Sequence, residues 1–153
     1  MRRRLSGFLV VALLPMVLTG TAMANDNGHR CNVGLVDGLY VFTASGFSTP
    51  VGAAAVPKAI IEVIRFQGDG TVTTPYSTVS FNGNVTTSAP AGNGTYTITA
   101  LDPPEGVCTG TLTFSDPPHP SFNLVIAPRG ERVWLLMTNP PSVFEGHAVK
   151  VSR

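Results

Sequence analysis

The chain has 153 residues, with ten Lys and Arg against nine Asp and Glu, and only two cysteines. Because three of the ten are Arg2, Arg3 and Arg4, residues 25–153 carry seven positive and nine negative side chains, a net charge of −2. That balance excludes the basic surface with which proteins bind nucleic acid or an anionic membrane. The length predicts a single domain with one core.

The first 24 residues have the three parts of a secretory signal peptide. Three arginines precede an apolar stretch at 8–18, and Ala22-Met23-Ala24 supplies the small-x-small pattern of a cleavage site. The alternative, an uncleaved membrane anchor, is disfavoured because the stretch is too short to cross a hydrocarbon core of about 30 Å. We therefore predict a signal peptide at 1–24 and a mature domain at 25–153 without a membrane span, exported to the periplasm or the medium.

Cys31 and Cys108 are the two cysteines. An even number in an oxidising compartment favours a disulfide, and the alternative is two free buried thiols. Two cysteines alone make a poor metal site, because zinc prefers four ligands. The sequence thus predicts a Cys31–Cys108 disulfide, no metal and no cofactor.

The mature chain reads as β-structure from end to end. Thirteen prolines and sixteen glycines leave no uninterrupted run with a helical period. Gly68-Asp69-Gly70 and Asn82-Gly83-Asn84 are strong turn signals. The predicted strands are 39–45, 59–67, 71–81, 85–88, 95–100, 108–115, 121–127, 132–138 and 143–152.

Alternation within these segments separates an inner face from an outer one. Every second residue of 95–99 is threonine, with Tyr96 and Ile98 between them, and 109–114 repeats the pattern. Threonine suits the exposed face of a sheet and large apolar residues suit the inner face. Short hairpin connections predict a single antiparallel up-and-down β-barrel of about eight strands, because closure removes exposed edges. A two-sheet β-sandwich is the alternative.

Several landmarks follow one another along the chain: Cys31-x6-Gly38-x-Tyr40-x-Phe42, Phe66-Gln67-Gly68-Asp69-Gly70, Asn93-Gly94-Thr95-Tyr96-Thr97, Cys108-Thr109-Gly110-Thr111 and the hairpin 122–149. Their order resembles a group of small exported bacterial proteins. The pattern is similar to calycin-type barrels, the class of lipocalins and allene-oxide-cyclase-like proteins, so the resemblance implies that barrel. It implies no site residue, and Tyr40 stands where lipocalins have tryptophan.

Glu62 is the first candidate for a functional group, because it alternates with the apolar Ile60, Ile64 and Phe66. If those residues face inward, a carboxyl group lies in the barrel interior, where it needs a partner or a raised pKa. Alternatively, Ile61 and Val63 face the core and Glu62 is outside.

Glu145 and His147 are the second candidate, since residues two apart in a strand share one face. Facing inward, they would suit general acid–base chemistry in the lumen. The alternative places Phe144, Gly146 and Ala148 inside and leaves the pair in solvent.

The predicted function is binding of a small apolar ligand in the barrel interior. The alternatives are a cyclase or isomerase that uses Glu62 or the Glu145 and His147 pair, and a structural or interaction module of the cell envelope. Trp134 and the other aromatic residues either line a pocket or fill a core. The predicted ligand-lining residues are Tyr40, Phe42, Ile64, Tyr96, Leu112, Phe114, Phe122 and Leu124.

Overall fold

Residues 31–49, 52–101 and 106–153 are described by the computed structural model of the chain. In these ranges the chain forms nine β-strands and a short 3-10 helix, Val33–Val36. The predicted signal peptide and its cleavage site lie outside the described residues. The strands are β1 (Gly38–Ser48), β2 (Val56–Phe66), β3 (Thr71–Phe81), β4 (Asn84–Ser88), β5 (Gly92–Ala100), β6 (Cys108–Phe114), β7 (Ser121–Ile126), β8 (Arg132–Met137) and β9 (Ser142–Ser152).

Eight of these strands close into an antiparallel barrel in the order β1-β2-β3-β5-β6-β7-β8-β9, with β9 paired back to β1. The predicted barrel is thereby confirmed, and the two open sheets of a sandwich are not found. β4 is an additional strand that pairs with residues 77–81 of β3, whereas residues 71–74 of β3 pair with β5. Strand β1 ends later and strand β2 begins earlier than predicted, because cross-strand pairing continues to Ser48 and Val56.

Alternation places the core as the sequence predicts. Along β6 and β7, inner residues such as Leu112 and Leu124 are fully buried while the residues between them are mostly exposed. Outer threonines of β5 and β6 pair across the strands, with Thr97 and Thr111 hydroxyls 2.9 Å apart. Each large apolar side chain buried in this way contributes about 1.5–3 kcal/mol relative to exposure.

The barrel end that contains the start of β1 and the end of β9 is closed by packing. The Phe66 ring lies edge-on to Tyr40 and Tyr96, with ring centroids 5.2 and 5.0 Å away. The 3-10 helix lies over this end and buries Val36. We call this region the closed end.

The predicted disulfide is confirmed and belongs to the closed end. Cys31 precedes the 3-10 helix and Cys108 begins β6, and their Cα atoms are 5.6 Å apart. The bond closes a sequence separation of 77 residues. It therefore fastens the N-terminal covering segment to the barrel wall.

Candidate functional site

The opposite end of the barrel, which we call the open end, contains a cavity of about 170 Å³. Its walls come from inner residues of six strands, and its rim comes from the loop after β6 and from Ala91 before β5. Four phenylalanines dominate the apolar wall, and a glutamate and a lysine of β2 share the space. The lining residues are Phe42, Lys58, Ile60, Glu62, Ala91, Phe114, Asp116, Pro117, Pro118, Pro120, Phe122, Met137 and Phe144.

Glu62 lies inside the barrel, as the first of its two possible orientations predicts. Only 8% of its surface is exposed. Its neighbours across the sheet are Phe42 on β1 and Ser77 on β3. Burial raises the pKa of Glu62 to about 7 from its ordinary value of 4.5, against smaller opposing effects of Thr74 and Lys58. The carboxyl group therefore exchanges its proton close to neutral pH.

Thr74 supplies a second buried polar group next to this carboxyl. Its side chain is 1% exposed, and the hydroxyl favours the ionised form of Glu62. Its Oγ1 atom nevertheless has no hydrogen-bond partner of normal geometry. Because a buried hydroxyl normally finds a partner, the site holds unused hydrogen-bonding capacity.

Lys58 lies at the mouth of the cavity on the same inner row of β2 as Glu62. Its Nζ atom is 5.1 Å from the centroid of the Phe144 ring, in range of a cation–π contact. Burial lowers the pKa of Lys58, and the negative charge of Glu62 partly opposes that effect. Among the described residues the one ion pair within 4.0 Å is Arg129–Glu131, so the Lys58 ammonium and the Glu62 carboxylate do not form one.

The eight predicted ligand-lining residues are all buried, but they divide between the two ends of the barrel. Phe42, Phe114 and Phe122 line the open-end cavity. The other five pack in the core away from it, and these are Tyr40, Ile64, Tyr96, Leu112 and Leu124. Alternation identified the inner face but not the position along the barrel axis.

Glu145 and His147 lie on the outside of the barrel, while Phe144 and Ala148 are buried inside it. The second of the two orientations considered for this pair is therefore the one found, so the pair does not lie in the lumen. Trp134 also faces outward, with 45% of its surface exposed. Because β8 is apolar on both faces, the sequence pattern does not indicate which of its residues face outward.

Sequence reasoning missed two groups of the cavity, Lys58 and the rim residue Asp116, and it also missed the buried Thr74 beside Glu62. Lys58 lies on the same face of β2 as Glu62, so an earlier predicted start of β2 would have identified it as an inner residue. Thr74 could not be identified in this way, since β3 is irregular opposite Val63–Arg65 and the alternation there changes phase.

Comparison of the chain with protein-family models, curated proteins and solved structures finds no match. In the described ranges no three His, Cys, Asp or Glu side chains come together as a potential metal site. No helix formed by those residues is long and apolar enough to cross a membrane.

Proposed function

We propose that the protein binds a small apolar molecule in the open-end cavity, with Glu62 and Thr74 holding its single polar group. The observation that supports this most is a cavity of about 170 Å³ with an apolar wall and one buried carboxyl group, that of Glu62. The buried Thr74 hydroxyl lies beside that carboxyl group. An apolar cavity of about 150 Å³ is large enough to bind benzene. The occupant is therefore of single-ring size.

The charges at the cavity favour a neutral molecule. Lys58 is positive, whereas Asp116 and ionised Glu62 are negative, so an anion meets two carboxylates and a cation meets an ammonium. A hydroxyl or carbonyl group satisfies Thr74 or the Glu62 carboxyl without bringing a buried charge.

The experiment is a ¹⁹F NMR titration with fluorobenzene and 4-fluorophenol. Both should bind saturably, and the phenol more tightly because its hydroxyl reaches the polar groups. Ala91→Phe, which fills the cavity from its rim, should abolish binding, whereas Thr111→Ala on the outer face should not. Absence of binding by either probe would refute the proposal and favour the structural or interaction module.

A second candidate is catalysis by proton transfer, because a carboxyl group of pKa about 7 beside an apolar cavity suits a general acid or base. A cyclase or isomerase would use Glu62 in this way. Acetophenone incubated with the protein in D₂O should then exchange its methyl protons, and Glu62→Gln should stop the exchange. If the acetophenone methyl protons exchange no faster than without the protein, catalysis by Glu62 is refuted and the proposed function is binding alone.

We also propose that the barrel is calycin-like and that the protein is exported to the periplasm or the medium. The closed antiparallel barrel supports the first and the disulfide supports the second, since disulfides persist in oxidising compartments. The intact mass of the protein recovered from its host should be that of a chain starting at Asn25. A mass that includes residues 1–24 would contradict cleavage of a signal peptide on export.

A further inference from the structure

The outer surface of β1, β9, β8 and β7 contains a concave groove of about 640 Å³. It lies on the opposite side of the barrel wall from the interior, so it is separate from the open-end cavity. Cross-strand pairing arranges its outward side chains in two rows. One row is Thr43, His147, Trp134 and Val125, and the other is Ser45, Glu145, Leu136 and Asn123.

The part of the groove on β8 and β7 is largely apolar and open to solvent. Trp134, Leu136 and Val125 are 45%, 52% and 44% exposed. Gly146 allows β9 to lie close to β1, because a Cβ atom there would lie 2.2 Å from the carbonyl oxygen of Thr43. An indole ring thus lies among aliphatic side chains in a depression rather than on a convex surface.

Polar side chains lie beside this apolar strip, four of them on β1 and β9 and one on β7, and none of them has a hydrogen-bond or ion-pair partner in the described part of the chain. They are Thr43, Ser45, Asn123, Glu145 and His147. Outer side chains elsewhere on the barrel behave differently: Thr97 bonds to Thr111, and Thr113 bonds to Ser121. The groove therefore keeps donors and acceptors free beside an exposed aromatic ring.

We propose that this groove binds a neutral oligosaccharide. A pyranose ring has apolar C–H faces that stack on indole and aliphatic groups, and equatorial hydroxyls that need donors and acceptors at the sides. Glu145 and the Arg132 guanidinium, 5.9 Å from the Trp134 ring centroid, balance each other in charge, so nothing selects an ionic sugar. Each row crosses four strands and spans roughly 14 Å at the usual strand spacing, enough for a short oligosaccharide.

A protein surface is a less suitable occupant. Docking a partner would bury five polar side chains, and each one left without a partner would weaken the complex. A sugar chain brings a hydroxyl to nearly every position of both rows. Sites of that kind also discriminate strongly, because an analogue lacking a hydroxyl leaves a protein group unpaired.

The test uses Trp134 itself, because it is the one tryptophan of the whole chain. Cellohexaose, maltohexaose and chitohexaose are titrated while tryptophan fluorescence is followed, and binding is measured in parallel by calorimetry. At least one of them should shift the emission saturably. Trp134→Ala should weaken calorimetric binding about tenfold or more through loss of stacking. Glu145→Gln and Asn123→Ala should each weaken it, and Thr111→Ala should leave it unchanged.

All the substituted side chains face solvent, so the variants should fold, and circular dichroism checks this. If no hexasaccharide binds at millimolar concentration, the proposal is wrong. It is equally wrong if binding is unaffected by the groove variants, or if an apolar peptide alone occupies the groove. Because Glu62 faces the interior, Glu62→Gln should not alter the titration, and failure here leaves the cavity's proposed function intact.

Discussion

The two ends of the barrel contain the same kinds of residue and use them in opposite ways. At the closed end the Tyr96 hydroxyl donates to Val33 O at 2.8 Å and accepts from Gly68 N at 3.1 Å, and the Tyr40 hydroxyl donates to Gly130 O. At the open end the Thr74 hydroxyl has no such partner, and Glu62 is buried without an ion pair. Polar groups at the closed end are satisfied and stabilise it, whereas polar groups at the open end lack such partners.

The largest expected change in the free energy of unfolding comes from removing the disulfide of the closed end. Cys31→Ala/Cys108→Ala should lower the free energy of unfolding by about 4 kcal/mol in the chain-entropy model for a loop of 77 residues. Urea unfolding of the variant and the parent measures it. A variant that remains folded should still bind 4-fluorophenol, since the open end is untouched. An unchanged unfolding midpoint would show that this bond does not hold the closed end.

Glu62 should give stability a pH dependence that originates at the open end. Burial raises its pKa from 4.5 to about 7, so the folded chain keeps a proton that the unfolded chain has lost. The contribution of Glu62 to the free energy of unfolding should be greatest below pH 4.5, fall by about 3 kcal/mol as the pH rises to 7, and then level off. Glu62→Gln should lack this slope in urea unfolding across the range. If the free energy of unfolding depends on pH in the same way in the variant and the parent, the raised pKa of Glu62 is contradicted.

Tyr96→Phe should lower the free energy of unfolding by about 2 kcal/mol, because it leaves two backbone groups of the closed end without their partner. The matched control is Tyr76→Phe, since the Tyr76 hydroxyl bonds only to Thr78 on the exposed surface. The control should change stability by less than about 0.5 kcal/mol. Equal effects of the two substitutions would remove the distinction between buried and exposed hydroxyls.

Thr74→Val removes a hydroxyl from the open end and should have the smallest effect, with the opposite sign. Because the hydroxyl has no hydrogen bond of normal geometry, the isosteric substitution should raise the free energy of unfolding by about 1 kcal/mol below the pKa of Glu62, where that carboxyl group is protonated. It should also raise the pKa of Glu62 further, since Thr74 favours the ionised carboxyl. Loss of stability would mean that this hydroxyl is satisfied after all.

Much of the fold was predictable because its cause is local. Alternation of threonine with large apolar residues in β5 and β6 fixed the inner face, and the glycine turns fixed the hairpins. Glu62 was predictable for the same reason. The direction of Glu145 and His147 was not, because Val143, Phe144, Ala148 and Val149 make β9 apolar on both faces.

The cavity itself could not be predicted from the sequence. Alternation says which residues face inward, whereas a cavity depends on where eight strands end and how the loop around Asp116 covers them. Tyr40 and Phe42 are two residues apart with the same parity, yet one packs in the closed end and the other lines the cavity. That difference arises from contacts between distant segments.

A ligand site at the open end is tested most directly by the 4-fluorophenol titration repeated with Glu62→Gln, Thr74→Val and Ala91→Phe. The parent chain should bind the probe saturably. Thr74→Val should bind it more weakly, Glu62→Gln should bind it with a changed affinity while fluorobenzene binding is little affected, and Ala91→Phe should not bind it. Binding that is equally strong in all four proteins would place the probe elsewhere and would contradict a ligand site at the open end.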